Sequence, residues 1–255
     1  LAHDEKGKNL ISISNLSITL SPGQFALKEI TTGFEASKLH ALVGPNGSGK
    51  TTLIKSVAGL YRSTSPGQIL LDKKPIDDAA LQSSNLAISY VESQHTAAFA
   101  FPVRDIILWG RWSHHRGRPK PHDHKKVEAS AQLLGISELL SRPFTSLSTG
   151  ERKKTMLAQS LTSDARFFVW DEPFAPLDLK SVRLILATIK TLSAAGATFV
   201  VSFHDIPLAL RHADTLTILD RGKLTWAGLA KDSHCISAVE KVFGVQAHGD
   251  GLYFI

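Results

Sequence analysis

Gly44-Pro45-Asn46-Gly47-Ser48-Gly49-Lys50-Thr51 is the stretch on which the reading of this chain turns. It satisfies G-x-x-x-x-G-K-[ST] in full. Residues 38–43, just before it, predict a short buried strand, and residues 50–60, just after it, have good helical composition and end near Gly59. A strand entering a glycine-rich loop that opens a helix is the context in which such a loop holds phosphate. The glycines let the backbone curl so that successive N–H groups point inward at phosphate oxygens, and the helix start adds positive partial charge. Lys50 is then placed to bridge the β- and γ-phosphates of a nucleotide, Thr51 to offer its hydroxyl to Mg²⁺, and Thr52 to touch the α-phosphate. Average residue frequencies give the pattern a chance occurrence of roughly 1% in a chain of this length, which makes an empty glycine turn the weaker reading.

Working outward, residues 10–20 alternate apolar and polar and predict an edge strand, followed by a turn at Ser21-Pro22-Gly23. Residues 67–72 and 86–91 read as further strands. From about 93 to 163 the pattern changes to helical periods, at 102–109, 123–134, 137–140 and 150–161. The β/α rhythm then resumes: strand 166–170, helix 179–194, strand 197–202, helix 206–211, and paired strands at 215–219 and 223–227 turning at Gly222. Residues 228–255 predict a short helix and a terminal strand docked on the core. This order predicts an α/β fold, a P-loop NTPase core with a mainly parallel sheet and an antiparallel β edge, interrupted by a helical subdomain. Residues 1–92 and 164–255 form the nucleotide-binding core in this reading, and residues 93–163 the insert.

Composition narrows the class. The chain has 255 residues, 43% of them hydrophobic, enough for a substantial buried core. No window approaches a membrane-spanning run, residues 1–9 lack the apolar core of a signal peptide, and the single cysteine, Cys235, suits a reducing cytoplasm. The formal charge of +6 is concentrated: residues 104–126 hold seven Arg or Lys against two Asp, interleaved with His114, His115, His122 and His124. The histidine-rich loop 114–124 within it reads as a solvated basic loop rather than a metal site, because neither spacing nor cysteine partners support one.

Phe167-Phe168-Val169-Trp170-Asp171-Glu172 is an apolar strand ending in two carboxylates at the sheet edge where open α/β folds bind ligands. Asp171 suits Mg²⁺ and Glu172 suits a general base for the attacking water. Several further motifs follow the order seen in ABC transporter ATPases. Leu147-Ser148-Thr149-Gly150-Glu151 resembles that family's signature, Asp171 to Asp178 resembles its acidic strand end running into the D-loop, and Phe203-His204-Asp205 resembles its switch-histidine segment. The resemblance implies two subunits, a homodimer, sandwiching two ATP molecules. Each ATP then lies between one subunit's Gly44–Thr52 loop and the partner's Ser148, Gly150 and Glu151. It also implies that His204 contacts the γ-phosphate and that Asp178 orders the interface. Thr149 departs from the signature's first glycine and adds a β-branched side chain where backbone approaches phosphate. In Tyr90-Val91-Glu92-Ser93-Gln94, Gln94 is taken as the contact to Mg²⁺ and water, with Ser93 the other position that aligns. Leu20 stands where an adenine-stacking aromatic is expected, and Phe25 is the nearest ring.

Residues 101–114, Phe-Pro-Val-Arg-Asp-Ile-Ile-Leu-Trp-Gly-Arg-Trp-Ser-His, resemble the stretch after the Q-loop in importers of iron siderophores, haem, vitamin B12, manganese and zinc. That likeness implies a transmembrane permease as partner, a solute-binding protein acting indirectly, and a peripheral position on the cytoplasmic face of the membrane. The alternative is a soluble ABC ATPase acting on nucleic acid or in cofactor assembly. DNA-repair members carry a long coiled-coil insert, whereas here about a hundred residues without heptads separate loop and signature, so nucleic acid is not the expected partner.

Overall fold

The computed structural model describes residues 9–21, 24–61, 68–76, 88–93, 100–248 and 251–254. Strands β1 (Asn9–Ser21) and β2 (Gln24–Glu35) pair antiparallel and, with β4 (Ile69–Leu71) and β5 (Lys74–Pro75), form a sheet of order β2-β1-β4-β5. The stretch expected at an edge is thus an interior strand, covered on one side by β2, which the sequence pattern did not reveal. The reason is local. Glu29 has φ +54° and the β1–β2 register slips around it, so Leu27 and Ile30, three apart, are both buried in the same apolar cluster and the period-two signature is lost.

The second sheet holds β3 (Leu39–Val43), β6 (Ile88–Val91), β7 (Phe167–Trp170), β8 (Thr198–Ser202), β9 (Thr215–Asp220) and β10 (Lys223–Leu229) in the order β10-β9-β3-β8-β7-β6. It is parallel from β9 to β6, and β10 adds the antiparallel edge. Its central strands β3, β7 and β8 are buried on both faces, so they read as continuous apolar runs whose alternate residues enter different clusters. Phe168 and Trp170 join one cluster and Phe167 and Val169 the other. Helix α1 (Lys50–Val57) packs Leu53, Ile54 and Val57 into the cluster shared with the antiparallel sheet.

Between β6 and β7 run α2 (Val103–Trp109), α3 (Trp112–His115), α4 (Pro121–Leu133), two single turns of 3₁₀ helix, and α5 (Thr149–Leu161). After β7 come α6 (Leu179–Ala194), α7 (Ile206–His212) and α8 (Ser233–Phe243). The chain then forms a hairpin of β11 (Val245–His248) and β12 (Gly251–Phe254) where one terminal strand was expected. Cys235 is fully buried on α8, which docks that helix on the core.

The loop expected at 114–124 is exposed except for His115 and Asp123, and the basic run around it holds buried charge. Arg111 is buried, and donates from Nε to Asp123 Oδ1, and from Nη1 to the Thr162 carbonyl at 2.9 Å and Asp164 Oδ2 at 2.6 Å. Lys126 donates to the other Asp164 oxygen at 2.6 Å. Hydrogen bonds from Arg111 and from the Lys120 amide pull the Asp123 carboxyl down to a pKa of about 2. These pairs tie α2, α4 and the end of α5 together, while Arg104, Arg116, Arg118, Lys120 and Lys125 remain exposed.

Candidate nucleotide site

Three parallel strands end at the same edge of the sheet, and each delivers one part of the site. Beyond β3, the loop runs into α1 through Gly49, whose φ is +102°. A Cβ there would stand 2.7 Å from the Ala26 carbonyl and 2.8 Å from Leu27 Cδ2, so only glycine fits. Gly222, in the β9–β10 turn, meets the same Ala26 carbonyl, and its amide donates to Ser48 O at 3.0 Å. The loop is therefore braced from both sides by other strands. Ala26 and Arg221, which sequence reasoning did not single out, also line its cleft of about 520 Å³.

Inside the loop, Lys50 is 6% exposed and donates to the carbonyls of Gly44 at 2.8 Å and Pro45 at 3.1 Å. Burial pushes its ammonium below the ordinary pKa, and the nearby Glu172 and Asp171 charges oppose that shift. Ser48 Oγ is buried without a hydrogen-bond partner. No acidic residue sits in the first turn of α1. A buried cation, an orphaned hydroxyl and an uncontested helix start together form a seat for an anion, and they fit the phosphates of ATP.

Beyond β7, Asp171 is fully buried. It accepts from Thr51 Oγ1 at 2.9 Å and from Ser202 Oγ at 2.6 Å, so two of the three residues expected to hold Mg²⁺ already face one another with the hard oxygen ligands that ion takes. Glu172 follows with φ +48°, a strained value for a side-chain-bearing residue. Its amide donates to Ser202 Oγ at 2.7 Å, and its Oε1 lies 2.6 Å from His204 Nε2, beyond β8. A carboxylate only accepts, so Nε2 carries the hydrogen. Ser202, absent from the sequence reading, thus links the Asp171 carboxylate to the backbone amide of Glu172.

The remaining expected residues lie elsewhere. Ser148 caps α5 and its hydroxyl and amide both donate to Glu151 Oε2 at 2.8 Å, so Glu151 closes a capping box. Asp178 caps α6, accepting from the Ser181 amide at 2.7 Å. Among the described residues, Ser148, Gly150, Glu151 and Asp178 do not line the cleft of the loop. Gln94 lies outside the described residues, as do the side chains of Leu20 and Phe25.

A family model described as ABC transporter matches residues 27–175, more than half of the chain. The chain belongs to the ABC transporter family. This ABC protein is 30% identical over 244 residues to the hemin import ATP-binding protein HmuV of Gloeobacter violaceus, covering 93% of this chain and 88% of that protein. It is 29% identical over 228 residues to the petrobactin import ATP-binding protein FpuC of Bacillus anthracis, covering 88% and 83%. Among solved structures it is similar to cbiO1 of Clostridium perfringens, part of the ABC transporter complex cbiONQ. That match has a TM-score of 0.76 and 26% identity, and covers 92% of this chain and 96% of that one. The ABC chain is the subunit that binds and hydrolyses ATP for a membrane transporter.

Proposed function

We propose that this chain hydrolyses ATP between two copies of itself, with Lys50, Glu172 and His204 as the groups that act on the γ-phosphate. The observation that carries this is the hydrogen-bonded series Thr51–Asp171–Ser202–Glu172–His204 running along the carboxyl edge of the sheet beside Lys50. Gly44–Thr52 hold the phosphates. Thr51 and Asp171, with Gln94, would hold Mg²⁺, which would supply positive charge to offset that of the phosphates. Glu172 takes a proton from water as the water oxygen bonds to the γ-phosphorus and the bond to the β-phosphate oxygen breaks, leaving ADP and phosphate. His204 orients that carboxylate and contacts the γ-phosphate. Glu172→Gln is expected to retain ATP binding and lose turnover by about two orders of magnitude or more. Wild-type turnover in that variant would refute the general-base role.

The second copy is supported by Ser148, Gly150 and Glu151, which resemble the family signature yet lie away from the cleft of this chain's own loop. Leu179, 83% exposed beside Asp178, gives the same surface an apolar contact. Exposed Phe101, Trp109 and Trp112, bordered by the basic residues of 104–126, support docking on a permease. Among the described residues no helix is long and apolar enough to cross a membrane; docking on a permease would hold the chain peripherally at the cytoplasmic face. Residues 93–163 act as the helical subdomain and 1–92 with 164–255 as the nucleotide-binding core. The relatives above support import of haem, an iron chelate or a transition metal, delivered by a solute-binding protein. A tagged chain should recover permease subunits from membranes. Salt-sensitive binding to duplex DNA with no permease would favour the soluble alternative.

A further inference from the structure

Lys153 is an unused buried charge. It lies in the second turn of α5 and is 3% exposed, and among the described residues no carboxylate is within ion-pair distance of it. Its ammonium donates instead to two consecutive carbonyls just beyond β6, Ser93 at 2.5 Å and Glu92 at 3.3 Å. Burial lowers its pKa, and the charges it feels in opposition are those of Glu172 and Asp171, so it sits within electrostatic reach of the acidic pair. A desolvated cation spanning two carbonyls is costly, and an apolar side chain would fill that volume without the cost. What the lysine adds is a fixed link between two segments. One is the helix capped by Ser148, about 8 Å away along the axis. The other is the strand end that leads directly into Gln94.

We propose that Lys153 is a positioning residue for hydrolysis: it locks the strand end at Glu92 and Ser93 to α5, so that a nucleotide engaging Ser148 sets the γ-phosphate side of the opposite end. This rests on the reading of α5 as the helix that meets the partner's ATP. An α-helix is stiff over two turns, so a shift at its N-terminus carries Lys153 with it, and the two carbonyls follow. The link joins the nucleotide seen through Ser148 in one subunit to the water-activating groups of that subunit's own cleft.

The test uses the full chain. Lys153→Met removes both hydrogen bonds and keeps the stem, and Lys153→Arg restores a charged donor. Lys153→Met is expected to lower kcat about 10- to 100-fold with KM for ATP within about two-fold, and Lys153→Arg to recover much of the loss. In a Glu172→Gln background, ATP should slow amide exchange over residues 88–93, and Lys153→Met should abolish that response while the Gly44–Thr52 loop stays protected. Wild-type kcat in Lys153→Met, no recovery in Lys153→Arg, or an unchanged exchange response at 88–93 would overturn the proposal. If Lys153→Met does not fold, Lys153→Gln, a shorter neutral donor, carries the same comparison: its kcat should lie below that of Lys153→Arg with KM for ATP within about two-fold of wild type, and a wild-type kcat would overturn the proposal. The underlying reading fails separately, through ATP-driven dimerisation of Glu172→Gln that is indifferent to Ser148→Arg, whatever the Lys153 variants do.

Discussion

Ser202 shows how much of the site hangs on one hydroxyl. It donates to Asp171 and accepts from the Glu172 amide, so a single oxygen holds the metal-side carboxylate and the strained backbone of the proposed base. Ser202→Ala removes the acceptor of the Glu172 amide and the donor to Asp171 Oδ1, and should cost about 1–3 kcal/mol in denaturant unfolding. Turnover should fall more than ATP affinity, because the base is displaced while the phosphate loop is intact. An equal loss in both would place the defect in the loop instead. Lys50→Ala should reduce ATP affinity at least about ten-fold by calorimetry, and unchanged affinity would contradict its clamp role. Lys50, Asp171, Glu172 and His204 were legible because each sits in a short local pattern at the end of a strand. Ser202 was not, since its partner Asp171 is 31 positions away and meets it only when β7 and β8 pair.

At the level of elements, period and punctuation foretold most strands of the parallel sheet and nearly every helix. The failures have local physical causes. The bulge at Glu29 erased the alternation of β2, and the charge-rich run at 104–126 concealed an internal ion cluster around Arg111. Composition counts charges but does not say which ones face each other. That cluster makes a pH prediction. Asp123 titrates near 2 in the folded chain, below the ordinary carboxylate value of about 3.9, so in that window the unfolded chain binds more protons. Its contribution is complete above about pH 4 and is lost as pH falls toward 2. Thermal melts at pH 5 and pH 3 should show the wild type losing more stability than Arg111→Met, which lacks the main cause of the shift. Parallel losses would contradict the assignment. Ser148→Ala should lower stability by about 1 kcal/mol through its cap alone.

For the whole molecule, His40 couples the two sheets' junction to pH. Its Nε2 lies 2.8 Å from the Glu35 carbonyl, which only accepts, so Nε2 donates and Nδ1 accepts from Thr215 Oγ1 at 2.6 Å. Burial lowers its pKa from 6.5 to about 4, so the folded ring stays neutral where the unfolded one is charged. Stability is therefore complete above about pH 6.5 and declines on the order of 3 kcal/mol as pH falls to 4. His40→Gln should flatten that slope in equilibrium unfolding, and an unchanged slope would assign it to other groups. The assembly is the least legible level: Ser148, proposed to meet a second copy's nucleotide, lies outside the cleft of this chain's own loop. The direct measurement is light scattering of Glu172→Gln with ATP. The account requires a shift to twice the chain's mass, abolished by adding Ser148→Arg while the loop still binds ATP. A chain that binds ATP yet stays monomeric, or a dimer indifferent to Ser148→Arg, would contradict the shared site.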